Sequence, residues 1–185
     1  MLNVLVLLAE GATNQSTPMD TALLLAGLDL IAGLSGQNDT ADSNAHLNSL
    51  SLLLSAFELS MDDNTSDTSD AATLSLNVAV LEQFVDTVVN LDVETMFNAT
   101  VAAFVSMSSG IAGSSSVESD TINTYLDAVD SAVTYVMDSD RNDPAMTTSI
   151  LDSSVGAVCH SSNSNSGETF VRQSFSVSCS STDSS

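Results

Sequence analysis

Apolar and polar positions alternate in blocks along this chain. Stretches of about 15–20 residues carry apolar side chains three and four apart, and short connectors rich in Ser, Asp, Asn and Gly separate them. Positions i, i+3, i+4 and i+7 share one face of an α-helix, so the spacing predicts helices packed in a bundle and joined by solvated loops. The segment "STPMD" predicts a helix start, with Thr17 as N-cap, Pro18 in the first turn and Asp20 at the third helical position. There its negative charge would meet the positive end of the helix dipole. The following "TALLLAGLDLIAGL" stops at Gly36 and is apolar nearly all round, which predicts a central position covered on several sides.

Five further helices follow from the same logic. "DSNAHLNSLSLLLSAFELS" aligns Leu47, Leu50, Leu54 and Phe57. A third helix, over 71–90, aligns Leu74, Val78, Leu81, Val85 and Val88 behind a cap at Ser69 or Asp70. Asp92 starts a fourth, "VETMFNATVAAFVSM", which Gly110 is expected to end. After the connector "GSSSVESD", a fifth over 119–137 aligns Ile122, Leu126, Val129 and Val133. The sixth opens with Asp143 before Pro144, a residue suited to a first helical turn.

Past Gly156 the period changes. In "GETFVRQSFSVSCS" the residues Phe175, Val177 and Cys179 alternate with serines, the pattern of a strand. One strand is not stable alone. It requires a second short strand, the N-terminal "NVLVLL" as a strand partner, or a region outside this chain. The expected fold is therefore mainly α: a bundle of about six helices over 1–158, with a short C-terminal β element in a disulfide-linked strand and Ser-rich tail over 159–185.

The opening "MLNVLVLLAEGA" has no basic residue before its apolar run and reads as part of the fold, not as a signal peptide. No run reaches the roughly 18 apolar residues of a membrane span. The longest, 22–34, is interrupted by Asp29, so no membrane insertion is expected.

Composition sharpens the functional side. The net charge of -22 arises from 24 acids against two arginines, Arg141 and Arg172, and no lysine. The acid share is ordinary, so the imbalance is a deficit of bases. Nucleic acid is excluded as a partner, because phosphate neutralisation needs Lys or Arg. An anionic membrane surface is disfavoured for the same reason, while cations are attracted. So few bases also remove most cleavage points for trypsin-like proteases, which suits a durable extracellular material.

Four Asn-x-Ser/Thr sequons occur, at Asn14, Asn38, Asn64 and Asn98. The first three fall in expected loops, where an N-linked glycan is tolerated. Cys159 and Cys179 read as one disulfide if the chain is secreted and as buried thiols if it is cytosolic.

Candidate chemistry is sparse. Cys159–His160 invites a zinc reading, yet the only other histidine is His46, short of four ligands at suitable spacing. A calcium loop needs oxygen donors at alternate positions, a central glycine and a distal bidentate Glu. Asp138, Asp140 and Asn142 supply the donors, but Asp143 and Ser149 stand where the Gly and Glu should be. The loop over 62–73 departs further. Calcium at 138–142 is thus the one cofactor left open, and no other metal is expected. Neither histidine has a nucleophile-elbow context, and no phosphate loop or dinucleotide fingerprint occurs. The expectation is a non-enzyme with no catalytic residue.

The order of "LNVAVLEQFVDTVVNLDVETMFNATVAAFVSM" and "INTYLDAVDSAVTYVM", followed by a cysteine-bearing strand, resembles the helical half of GAIN- and REJ-type extracellular modules. The resemblance covers about 70–155 and is one of texture. The autoproteolysis element of those modules, a cysteine-framed segment ending in His-Leu-Ser/Thr, is absent, and "CHSS" at 159–162 does not replace it. The resemblance implies an extracellular structural or mechanical module without self-cleavage.

Together these observations predict a secreted, glycosylated, non-enzymatic module with a structural or adhesive role, in a larger extracellular assembly or filament. Protein partners or further copies would meet the N-terminal apolar segment and the C-terminal strand, as unpaired strand edges. A ligand-binding receptor module, expected to show a deep apolar pocket, and an acidic protein of a halophile are the alternatives.

Overall fold

A computed structural model of the chain describes residues 2–15, 19–35, 43–63, 71–91, 94–114, 117–138, 143–161 and 169–179. Among these are seven helices: α1 (Leu2–Gln15), α2 (Thr21–Ser35), α3 (Ser43–Asp63), α4 (Ala71–Leu91), α5 (Glu94–Gly113), α6 (Ser119–Met137) and α7 (Pro144–Ser161). Two strands, β1 (Thr169–Val171) and β2 (Ser176–Ser178), follow them. The mainly α bundle with a short C-terminal β element is the fold that the spacing predicts.

The helices α4, α6, α7 and α5 pack in a ring in that order, closed by α5 against α4. A second group, α1 to α3, joins it through α2 on α4 and α3 on α5. Buried residues from all seven helices form one continuous core. The stripe Leu74, Val78, Leu81, Val85 and Val88 of α4 is buried throughout, as is Ile122, Leu126, Val129 and Val133 of α6. Each such side chain contributes about 1.5–3 kcal/mol on leaving water, so α4 and α6 anchor the bundle. By length and composition α4 could also cross a membrane; half of that apolar window is buried inside the bundle, as in a core helix.

Four expectations need correction. The segment "NVLVLL" is not a strand but the body of α1, whose Leu5, Ala9 and Ala12 turn inward at helical spacing. Short apolar runs fit either period, and here packing against α3 and α2 decides. The C-terminal strand is instead paired by β1 in an antiparallel hairpin, with Phe170 opposite Val177. Next, Asp20 is the N-cap of α2 and not its third residue: its carboxylate accepts the Ala22 amide at 2.8 Å and its carbonyl accepts the Leu23 and Leu24 amides. Buried Met19 just before the cap and buried Leu24 stand at the two positions of a hydrophobic staple. Thr17 and Pro18 lie outside the described residues.

The third correction concerns α2, which is not central. Ala22, Ala26, Asp29 and Gly33 form an exposed stripe along it. Being mostly small, they left the sequence pattern without a polar face. Last, α5 runs through Gly110 to Gly113, because Ile111, fully buried, draws another turn into the core. The start of α7 is as predicted: Asp143 Oδ1 accepts the amides of Ala145 at 3.0 Å and Met146 at 3.1 Å, behind Pro144.

Candidate functional site

The most elaborated polar arrangement lies where the β hairpin meets α6. On α6, Asn123, Asp127 and Asp130 are spaced four and three apart and share one outward face. The opposite face, with Tyr125, Leu126, Val129 and Val133, is buried. The hairpin turn brings Arg172 onto the polar face. Its Nε stands 2.7 Å from Asp127 Oδ1, an ion pair without the alignment of a hydrogen bond. One terminal nitrogen donates to both the carbonyl and the Oδ1 of Asn123, each at 3.1 Å, and the other to the Val171 carbonyl at 3.1 Å.

Two residues on, the Ser174 amide donates to Asp130 Oδ1 at 2.8 Å, and the Ser174 hydroxyl donates to the same oxygen. Partial burial opposes ionisation of Asp130. The hydroxyl and amide of Ser174, the Gln173 amide and the Arg172 charge outweigh it and hold the carboxyl below its ordinary value. At the far end of the hairpin, Cys179 is bonded to Cys159 in the last turns of α7. The hairpin is therefore strapped to the bundle twice, by a polar clamp on α6 and a covalent bond to α7. Under it, Val177 is buried and Phe170 and Phe175 pack on the core.

Beside the clamp is a broad cleft of about 980 Å³, open to solvent, between α4, α6 and the hairpin turn. Asp86, Asp130 and Asp138 line it together with Tyr135, Met137 and Gln173. Burial pushes the carboxyls of Asp86 and Glu82 up; the charges of Asp86 and Asp127 add to the effect on Glu82, while a hydrogen bond with Ser131 opposes it at Asp86. The cleft is thus open to solvent and carries three aspartates on its walls.

The remaining sequence candidates are dispersed. The cysteine pair forms the disulfide, which takes Cys159 out of any zinc site. His160 is exposed beside it, and His46 lies in α3, far along the chain. Of the calcium candidates, Asp138 sits just past α6, exposed, while Asp140 and Asn142 lie outside the described residues. Among the described residues no group of three or more His, Cys, Asp or Glu could hold a metal ion. Asn14 is exposed in the last turn of α1, a helical position where a loop was expected. Asn98 lies within α5, and Asn38 and Asn64 fall outside the described residues.

Sequence reasoning did not find the clamp. A signal existed: a rare arginine inside the strand pattern, and a helix with Asn and Asp at one-face spacing. Pairing them required knowing that the hairpin folds back onto α6 and no other acidic face. No known protein family, no curated protein and no solved structure matches this chain.

Proposed function

We propose that this chain is a secreted, N-glycosylated structural module without enzymatic activity, working in a larger extracellular assembly. The disulfide between Cys159 and Cys179 carries the proposal. Such bonds persist in oxidising compartments and are rare where glutathione keeps thiols reduced. Here the bond fixes the C-terminal hairpin to α7 of the bundle. The exposed sequon at Asn14 and the scarcity of bases support the same compartment. An extracellular mechanical role is also what the resemblance to the helical half of GAIN- and REJ-type modules implies.

Contact with neighbours is assigned to the outer face of α1. Val4, Leu7 and Leu8 lie there at i, i+3 and i+4, between 48% and 65% exposed, opposite the inward Leu5 and Ala9. The contact element is thus a helix stripe in place of the strand edge expected from the sequence. Expression in a secreting eukaryotic cell, followed by intact-mass measurement before and after an N-glycosidase, tests the proposal. Loss of mass with conversion of Asn to Asp at one or more of Asn14, Asn38, Asn64 and Asn98 is expected. An unmodified secreted chain overturns the glycoprotein reading.

A further inference from the structure

Arg172 is the only arginine among the described residues, and the chain has no lysine. It begins the turn between β1 and β2, where its amide donates to the Phe175 carbonyl at 2.9 Å. Exposed turns are where endopeptidases ordinarily find a folded chain. A trypsin-class enzyme additionally needs the arginine side chain free to enter its specificity pocket. In this protein the turn is near the surface but the side chain is withheld. It is only 15% exposed, against Asp127 and bonded to Asn123.

We propose that the Arg172–Gln173 peptide bond is a guarded processing site for a trypsin-class endopeptidase, shut while the hairpin is strapped to α6 and α7. Two attachments hold it shut, and they are chemically different. The polar clamp is a set of surface interactions, each individually weak. The disulfide joins residues 20 apart in sequence, and its loss restores the freedom that the closed loop removes from the chain. Reduction by a dithiol is therefore the opening step: the reductant is oxidised to its own disulfide as Cys159 and Cys179 become thiols. The protease then adds water across the Arg172–Gln173 amide, leaving a carboxylate on Arg172 and an amine on Gln173. The two events are ordered by the geometry. Cleavage before reduction would leave the segment from Gln173 onward attached through Cys179, whereas cleavage after it frees that segment from its covalent tie to α7.

Cleavage tracks the population of the open form when opening and closing are fast, so the proposal is measurable. The full chain is treated with trypsin in three forms: oxidised, reduced and alkylated with the reductant removed, and as the Cys159→Ser/Cys179→Ser variant. Mass spectrometry follows the 172–173 cut, and circular dichroism follows helicity. The two disulfide-free forms should be cut at 172–173 on the order of a hundredfold faster than the oxidised form, with helicity kept. Asp127→Asn in the oxidised chain should raise the rate only about twofold, because that ion pair is exposed. Equal rates in all three forms would overturn the proposal, as would loss of helicity in both disulfide-free forms, because the strap would then be inseparable from the fold.

Discussion

Arg172 and Asp127 meet at 2.7 Å, Nε to Oδ1, across the junction of the hairpin with α6. In a chain with 24 acids and two arginines, this cation holds an element and does not merely decorate a surface. Asn123 and Asp127, one helical turn apart, form the socket that receives its guanidinium. The hairpin in turn covers part of the core with Val177, Phe170 and Phe175.

Replacing Arg172 with Gln should lower stability by about 1 kcal/mol. Asp127 is largely exposed, so its ion pair is screened, and most of the loss comes from the bonds to Asn123. Chemical denaturation of Arg172→Gln, Asp127→Asn and the double variant checks this. A coupling of a few tenths of a kcal/mol between them is expected.

The pH dependence should have a maximum on the acid side of neutrality. Glu82 and Asp86 have raised values in the folded chain, because burial disfavours their charge. Protons therefore bind the folded state more tightly, and stability rises as pH falls through those raised values. Asp130 is depressed by its hydrogen bonds from Ser174, despite partial burial. Its contribution is present above the unfolded value and is lost as pH falls through the folded one. Melting temperature measured from neutral pH to strongly acidic pH should climb and then drop, and Asp130→Asn should remove part of the drop.

Tyr125 and Ser154 join α6 to α7 inside the core, hydroxyl to hydroxyl at 2.9 Å. Ser154 Oγ also donates to the Ile150 carbonyl at 2.7 Å, and the Tyr125 hydroxyl reaches the Phe104 carbonyl at 3.5 Å. Tyr125→Phe should cost about 1 kcal/mol, the ordinary value of a buried hydrogen bond. Burial pushes the Tyr125 phenol up to about 12, against the opposing effect of Ser154. The folded state thus keeps its proton longer than the unfolded chain, and stability is lost as pH rises from about 10, the ordinary tyrosine value, to about 12. Alkaline unfolding of the wild type and Tyr125→Phe, followed side by side, checks both statements.

Two helical glycines should respond in opposite directions to the same substitution. At Gly156 of α7 an added methyl meets nothing within 4 Å, so Gly156→Ala should stabilise by about 0.5–1 kcal/mol. At Gly27 of α2 it would lie 2.9 Å from Leu53 Cδ1, a side chain only 1% exposed. Overpacking of this kind costs about 1–3 kcal/mol, which exceeds the helix-propensity gain, so Gly27→Ala should lower the melting temperature.

How much of this was legible in the sequence depends on range. The stripes of α4 and α6, and the Asp143–Pro144 start of α7, are local patterns and appear where spacing put them. The disulfide pairing was legible as well, since only two cysteines exist. Helix α1 was ambiguous because "NVLVLL" satisfies either period, and only its neighbours select the helix. The start of α2 was misplaced because Thr17, Pro18 and Asp20 all suit a helix start, and only geometry shows which carboxylate caps. The two halves of the Arg172 clamp were legible, but their pairing was not: they are distant in sequence, and nothing local to either says that they meet.

The bond that fastens the hairpin to α7 depends on the state of two thiols, Cys159 and Cys179, in the purified full chain. Alkylation in denaturant without reductant, read by intact mass, tests it most directly. No alkyl groups should be added at first and two after reduction, with a linked peptide pair containing Cys159 and Cys179 in the unreduced digest. Two alkyl groups before any reductant is added would contradict it.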